Sequence, residues 1–230
     1  MARRRGRGTA RAARREAQPR RTMLFVASAA TIAAVAALIW FGSRDAFSAP
    51  STSPGPGVAQ SGHVRGVATA PVTIDEYADF QCPACGQFAR QTEPQLVQTY
   101  IAEGKVKVVF HHFAFLGMES NWAAEASECA NDQGRFWDFH DRLYASQAGE
   151  NKGAFSRDNL KKIGADLGLG TAFAACVDSG RYAQTVRDAT QAGTERGVRA
   201  TPTLFIGERK IEGAATFDQL KPIIEAALSR

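Results

Sequence analysis

The residues best suited to chemistry are Cys82 and Cys85, which stand three positions apart in Phe80-Gln81-Cys82-Pro83-Ala84-Cys85. Two cysteines at this spacing can cycle between dithiol and disulfide, supply half of a zinc site, or form an inert bridge. A zinc site needs two more ligands, and His111 and His112 are the candidates. Their surroundings predict a strand, where adjacent side chains point to opposite faces and seldom serve one ion. The redox reading is therefore favoured, and no metal is expected.

The flanking elements decide which sulfur attacks. Val72-Thr73-Ile74-Asp75-Glu76-Tyr77-Ala78-Asp79 alternates as a strand does. After the cysteines, Phe88, Ala89, Leu96, Tyr100 and Ile101 recur at helical spacing, with Pro94 predicting a kink. Cys82 thus falls at a strand-to-helix junction, with Pro83 in the first turn, where a missing N–H costs nothing. Free N–H groups and the positive end of the helix dipole favour thiolate over thiol there. Cysteines so placed have pKa values of roughly 3.5–7.5, against about 8.5 when free. Cys82 is expected to attack, and Cys85, one turn on and nearer the core, to resolve.

Glu76 belongs to the same site. Val72, Ile74, Glu76, Ala78 and Phe80 share one face of the strand, and a carboxylate is out of place in that apolar row. Buried, it would hold its proton to high pH and could exchange it with Cys85. If instead the strand twists at its end, Glu76 reaches solvent.

Lys105 to Phe113 reads as the next strand, after Gly104 ends the helix, so strand, helix and strand form one parallel βαβ unit. Residues 119–196 are helical by pattern. Trp122, Ala126, Cys129 and Ala130 form one apolar stripe, Phe136, Trp137, His140, Leu143 and Tyr144 another, and Phe173, Cys176 and Val177 a third. Four cysteines allow three pairings, and the proximity of Cys82 to Cys85 favours a second, structural bridge between Cys129 and Cys176. Two buried free thiols are the alternative. Arg199 to Ile206 begins a further strand, with Pro202 at its start. Gly207-Glu208-Arg209-Lys210 turns into a partner strand, and Thr216 caps a last helix over Phe217–Leu228.

The chain has 230 residues and a formal charge of +5, but the charge is unevenly spread. Residues 1–22 hold nine arginines and one acid; removing them from the chain's 28 basic and 23 acidic residues leaves 19 and 22. The remainder is mildly acidic, which argues against nucleic-acid binding. Met23–Phe41 is 19 residues without a charge, long enough to span a bilayer. Nine arginines before it hold the N-terminus inside, so it reads as a signal anchor with the rest of the chain outside the cytoplasm. Cleavage near Ala46-Phe47-Ser48-Ala49 is the alternative. Residues 42–62, rich in Pro, Gly and Ser, read as a flexible linker, leaving 63–230 as the folded domain.

Ala70-Pro71-Val72-Thr73-Ile74, Phe80-Gln81-Cys82-Pro83-Ala84-Cys85 and Ala200-Thr201-Pro202-Thr203-Leu204-Phe205 together resemble the DsbA-like branch of the thioredoxin superfamily, over about residues 64–228. The resemblance implies an α/β thioredoxin-like fold with a helical insertion at about 119–196, here preceded by one transmembrane helix. It places the family's acid on Glu76 and its cis-proline on Pro202, leaving the Thr201 backbone to pair with an extended substrate segment beside Cys82. The strongly oxidising members carry histidine where this chain has Ala84. The implied activity is thiol–disulfide exchange on reduced, exported proteins. A membrane quinone-linked thiol oxidase of the DsbB or VKOR kind would recharge the pair, and no bound cofactor is needed. The linker leaves no room for a dimerisation domain, so a monomer is expected. A reductase or isomerase of the same fold, or a peptide-binding chaperone module, is the rival reading.

Overall fold

The computed structural model describes residues 58–230, and the predicted membrane segment 23–41 lies outside them. Among the described residues no helix is long and apolar enough to cross a membrane.

The sheet is built around two parallel strands, β3 (Val72–Ala78) and β4 (Val106–His112), paired from Val72↔Val106 to Ala78↔His112. Period-2 burial is clearest on β4, where Val106, Val108, Phe110 and His112 face inward. On the far side of β3 run β5 (Thr203–Ile206) and β6 (Arg209–Glu212), each antiparallel to its neighbour. Next to β4 lie two strands of two residues each, β1 (Gln60–Ser61) and β2 (Val64–Arg65), giving the order β1-β2-β4-β3-β5-β6. This hairpin corrects the expected boundary: the sheet starts at Gln60, within the stretch read as linker. Two-residue strands are too short to show alternation. Gly66, at φ 116°, ends the hairpin; a Cβ there would sit 2.8 Å from the Val106 carbonyl.

The cysteine helix is broken, as Pro94 predicts. α1 (Pro83–Gln91) stops at Thr92, α2 (Glu93–Leu96) restarts with Pro94 in its first turn, and a π-helical turn (Val97–Ile101) follows. Proline has no N–H for the turn before it and crowds the carbonyl four residues back, so the chain must re-aim there. Thr92 Oγ1 fixes the break by donating to the Ala215 carbonyl at 2.9 Å. The last helix, α8 (Phe217–Leu228), starts at Thr216 with a reciprocal capping box to Gln219.

Between β4 and β5 lies the helical insertion: α3 (Met118–Asn131), α4 (Phe136–Ala145), α5 (Arg157–Asp166), α6 (Gly170–Ser179) and α7 (Ala183–Glu195). Cys129 on α3 and Cys176 on α6 are joined by a disulfide. One continuous core unites the sheet's inner face with the insertion, running from Ile74, Phe80, Phe88 and Phe110 through Phe136, Trp137 and Phe139 to Phe173. Each large side chain so buried contributes about 1.5–3 kcal/mol. On the opposite face a smaller cluster of Tyr77, Phe113, Val198 and Phe205 includes residues against which α7 packs closely at Gly193.

Candidate functional site

Cys82 is the N-cap of α1 and Pro83 its first residue. The strand before it fixes its approach: the Cys82 N–H closes a tight turn on the Asp79 carbonyl at 3.0 Å, and its own carbonyl accepts from the Gly86 N–H at 3.0 Å. The Cys82 sulfur is 3.3 Å from the Thr201 carbonyl, which accepts from the thiol. The peptide bond that follows, Thr201–Pro202, is cis, and both residues are buried. The sequence thus brings Cys82, Cys85, Thr201 and Pro202 together from positions over a hundred residues apart.

The two sulfurs differ in environment. Both are free thiols here. Cys82 is 8 % exposed and Cys85 wholly buried. The hydrogen bond from Cys85 is the largest cause lowering the Cys82 pKa to about 6; burial opposes it, while Thr201 and the amides of Cys85 and Ala84 add to the lowering. Burial pushes the Cys85 thiol well up, and the hydrogen bond to Cys82 and that neighbour's charge push it further. One cysteine is thus a thiolate at neutral pH and the other a thiol.

Glu76 lies on β3 between the apolar register partners Phe110 and Leu204, with no exposed surface. Neither carboxylate oxygen has a hydrogen-bond partner. Burial, then the charge of Glu93, raise its pKa well above the usual range, against the pull of Arg65. Its charge in turn helps raise Cys85, so the two groups feel each other.

His111 and His112 do face apart. His111 Nε2 meets Asp75 Oδ1 at 2.9 Å, and His112 Nε2 meets Glu128 Oε1 at 3.0 Å, an oxygen that His63 Nε2 also approaches at 3.0 Å. His63, His112 and Glu128, and separately Glu93, His140 and Asp141, bring three metal-capable groups together. Cys82 and Cys85 belong to neither cluster.

A family model described as thioredoxin matches residues 59–226. The chain belongs to the thioredoxin family. Among curated proteins, disulfide bond formation protein D of Bacillus subtilis (strain 168) is 30% identical over 173 residues, covering 72% of this chain and 76% of that protein. The Na(+)/H(+) antiporter NhaA 1 of Salinispora arenicola (strain CNS-205) is 32% identical over 169 residues. The chain spans 25% of that antiporter's length. Among solved structures, oxidised BdbD from Bacillus subtilis matches with a TM-score of 0.69 and 27% identity, over 75% of this chain and 98% of that one. Wolbachia pipientis alpha-DsbA1 shares the fold, with a TM-score of 0.65 and 24% identity over 73% and 90% of the two chains.

In this thioredoxin-family chain the sequence reading missed the residues that hold the cysteine loop. Asp79 is buried, and its Oδ1 accepts from the Gln81 N–H at 2.8 Å and Ser120 Oγ at 2.7 Å. Its Oδ2 accepts from the Phe115 and Leu116 N–H groups at 2.9 and 3.1 Å. Gln81 Oε1 accepts from the Asn151 N–H at 2.6 Å. Gln147 Nε2 donates to the Phe80 and Cys82 carbonyls at 2.8 and 3.0 Å. The one sequence signal was Asp79 as a short acid just past a strand, a common turn former.

Proposed function

We propose that this chain is an extracytoplasmic thiol–disulfide oxidoreductase that introduces disulfides into exported proteins through Cys82 and Cys85. The observation that carries the reading is the asymmetry of the pair: Cys82 at a helix N-terminus with its pKa lowered to about 6, and Cys85 buried one turn behind with its pKa raised. A sulfur that ionises easily is a good leaving group and a poor partner to hold in a disulfide, so the oxidised pair is readily given away. The name of the Bacillus subtilis relative agrees with this direction.

In the oxidase cycle a substrate thiolate attacks Cys82 of the Cys82–Cys85 disulfide. The S–S bond breaks with its electron pair on Cys85, which takes a proton from Glu76. A second substrate thiolate then attacks the substrate sulfur of the mixed disulfide, and Cys82 leaves as a stable thiolate. The substrate gains a disulfide and the enzyme is left as a dithiol. Thr201 and Pro202, against the Cys82 sulfur, line the place where the substrate segment lies. The Cys129–Cys176 bridge is structural, because it ties two insertion helices and neither sulfur lies at a helix start.

The charge-free stretch 23–41 after nine arginines supports a single-pass anchor, with the catalytic domain outside and working as a monomer. A tethered dithiol suits recharging by a membrane quinone-linked oxidase of the DsbB or VKOR kind. The deciding experiment is the reduction potential of the Cys82–Cys85 couple in the full chain, equilibrated against glutathione. A value near about −120 mV is expected of a disulfide donor; a value near about −270 mV would replace the oxidase with a reductase.

A further inference from the structure

Two groups of three metal-capable side chains stand outside the thiol chemistry: Glu93 with His140 and Asp141, and His63 with His112 and Glu128. The first already holds a cation. Arg65 Nη1 meets Glu93 Oε1 at 2.8 Å, and its Nη2 meets both oxygens of Asp141 at 2.8 and 3.0 Å. The second has no guanidinium or ammonium in it. Among the described residues the only basic side chains that approach Glu128 are the two histidines.

His63 lies in the turn between β1 and β2, His112 ends β4, and Glu128 stands on the last turn of α3. Three segments of chain thus place two Nε2 atoms and one carboxylate oxygen within 4.8 Å of one another. Each imidazole nitrogen is 3.0 Å from the same atom, Glu128 Oε1. His112 and Glu128 are buried, while the His63 side chain is 29 % exposed. His63 Nε2 itself is buried, and in spite of the 3.0 Å separation it makes no hydrogen bond to the carboxylate. At that distance only direction can fail, so the nitrogen aims beside the oxygen rather than at it. The surroundings hold all three groups in place. The His63 carbonyl accepts from the Phe110 N–H at 3.0 Å, and the His63 ring packs on Phe136 with centroids 4.4 Å apart. Asn131 Nδ2 donates to Glu128 Oε2 at 3.4 Å, which leaves Oε1 to the imidazoles.

A buried carboxylate needs a positive charge beside it, and a metal ion held by neutral imidazoles supplies one. Zinc takes nitrogen at about 2.0–2.1 Å and carboxylate oxygen at about 2.0–2.2 Å, which sets tetrahedral ligand atoms about 3.4 Å apart. Opening the two 3.0 Å contacts by about 0.4 Å makes that room. Two nitrogens and one oxygen select a transition ion over calcium or magnesium, whose shells are built from oxygen. We propose that His63, His112 and Glu128 form a site for one divalent transition-metal ion of the zinc class, with water as fourth ligand on the exposed side of His63. The ion ties the β1–β2 hairpin and β4 to α3, one residue from the bridged Cys129, and so clamps the sheet edge to the insertion. It takes no part in thiol exchange and does not rest on that reading.

The test uses the untagged full chain, oxidised so that Cys82 and Cys85 offer no thiolate, freed of metal with a chelator and titrated with cobalt(II) and then zinc. One equivalent of cobalt should bind with the strong visible absorption of a four-coordinate ion, and zinc should displace it one for one and raise the unfolding temperature. His63→Ala and Glu128→Gln should each weaken zinc binding at least about tenfold, the low end for even a supporting residue of a metal site. Both variants should keep thiol exchange at Cys82 unchanged. The absence of stoichiometric binding overturns the proposal, as does binding of unchanged affinity in both variants. Displacement of cobalt by an equal concentration of calcium overturns the assignment to a transition ion. If neither variant folds, imidazole nitrogen NMR of the unsubstituted chain decides: the Nε2 resonances of His63 and His112 must both move when zinc is added, and resonances that stay in place overturn the proposal.

Discussion

Several groups lower the Cys82 pKa at once: the Cys85 thiol, Thr201 and the amides of Ala84 and Cys85. Alkylation of the reduced protein should therefore follow a midpoint near about 6. Cys82 also links stability to pH. Its folded-state pKa is about 6 against an ordinary value of 9.0. A lowered folded value gives stability that is complete above 9.0 and lost as pH falls through about 6. Between those limits reduced protein should gain about 1.4 kcal/mol per pH unit relative to Cys82→Ser. Urea unfolding of both proteins at pH 6, 7 and 8 checks this, and parallel curves would refute it. At this scale the sequence was readable where chemistry is contiguous or periodic. Cys82, Pro83 and Cys85 are neighbours, and Glu76 breaks an apolar alternation. Arg65 gave no such signal, because its partners Glu93 and Asp141 lie 28 and 76 residues away.

The elements show the same division. α8 and the kink at Pro94 follow from local rules, a capping residue and a missing N–H, and both were legible. β1 and β2 were not, since their two residues each are held by pairing, β1 to β2 and β2 to β4, rather than by any pattern of their own. The bridge between α3 and α6 closes a loop across a separation of 47 residues. By chain entropy its loss should cost about 4 kcal/mol, so Cys129→Ser/Cys176→Ser should lower the urea midpoint while leaving the Cys82 titration in place. At α7 the packing is tight: a Cβ on Gly193 would meet Phe113 Cδ2 at 2.7 Å and Tyr77 Cδ1 at 3.0 Å. Gly193→Ala should therefore destabilise by about 1–3 kcal/mol despite alanine's better helix propensity, measurable by calorimetry.

Across the whole molecule the site is a seam. The sheet supplies Glu76, Thr201 and Pro202, the broken helix supplies both cysteines, and the insertion closes over the loop through Ser120, Gln147 and Asn151. Asp79 is the common anchor of that closure. Asp79→Ala would leave the Gln81, Phe115 and Leu116 amides without their acceptor, at a cost of about 2–4 kcal/mol in unfolding free energy. It should also slow alkylation of Cys82, because the turn that aims the sulfur loosens; stopped-flow alkylation beside denaturant melts separates the two effects. The Gln147 contact carries a consequence for how such a chain can be rebuilt. Its amide holds the carbonyl of Cys82 itself, from the loop just past the end of α4. The insertion therefore cannot be lifted out as a cassette and replaced by a short loop. A graft has to carry Ser120, Gln147 and Asn151 with it, and Cys176 on α6 as well, because its bridge to Cys129 ties that helix to α3.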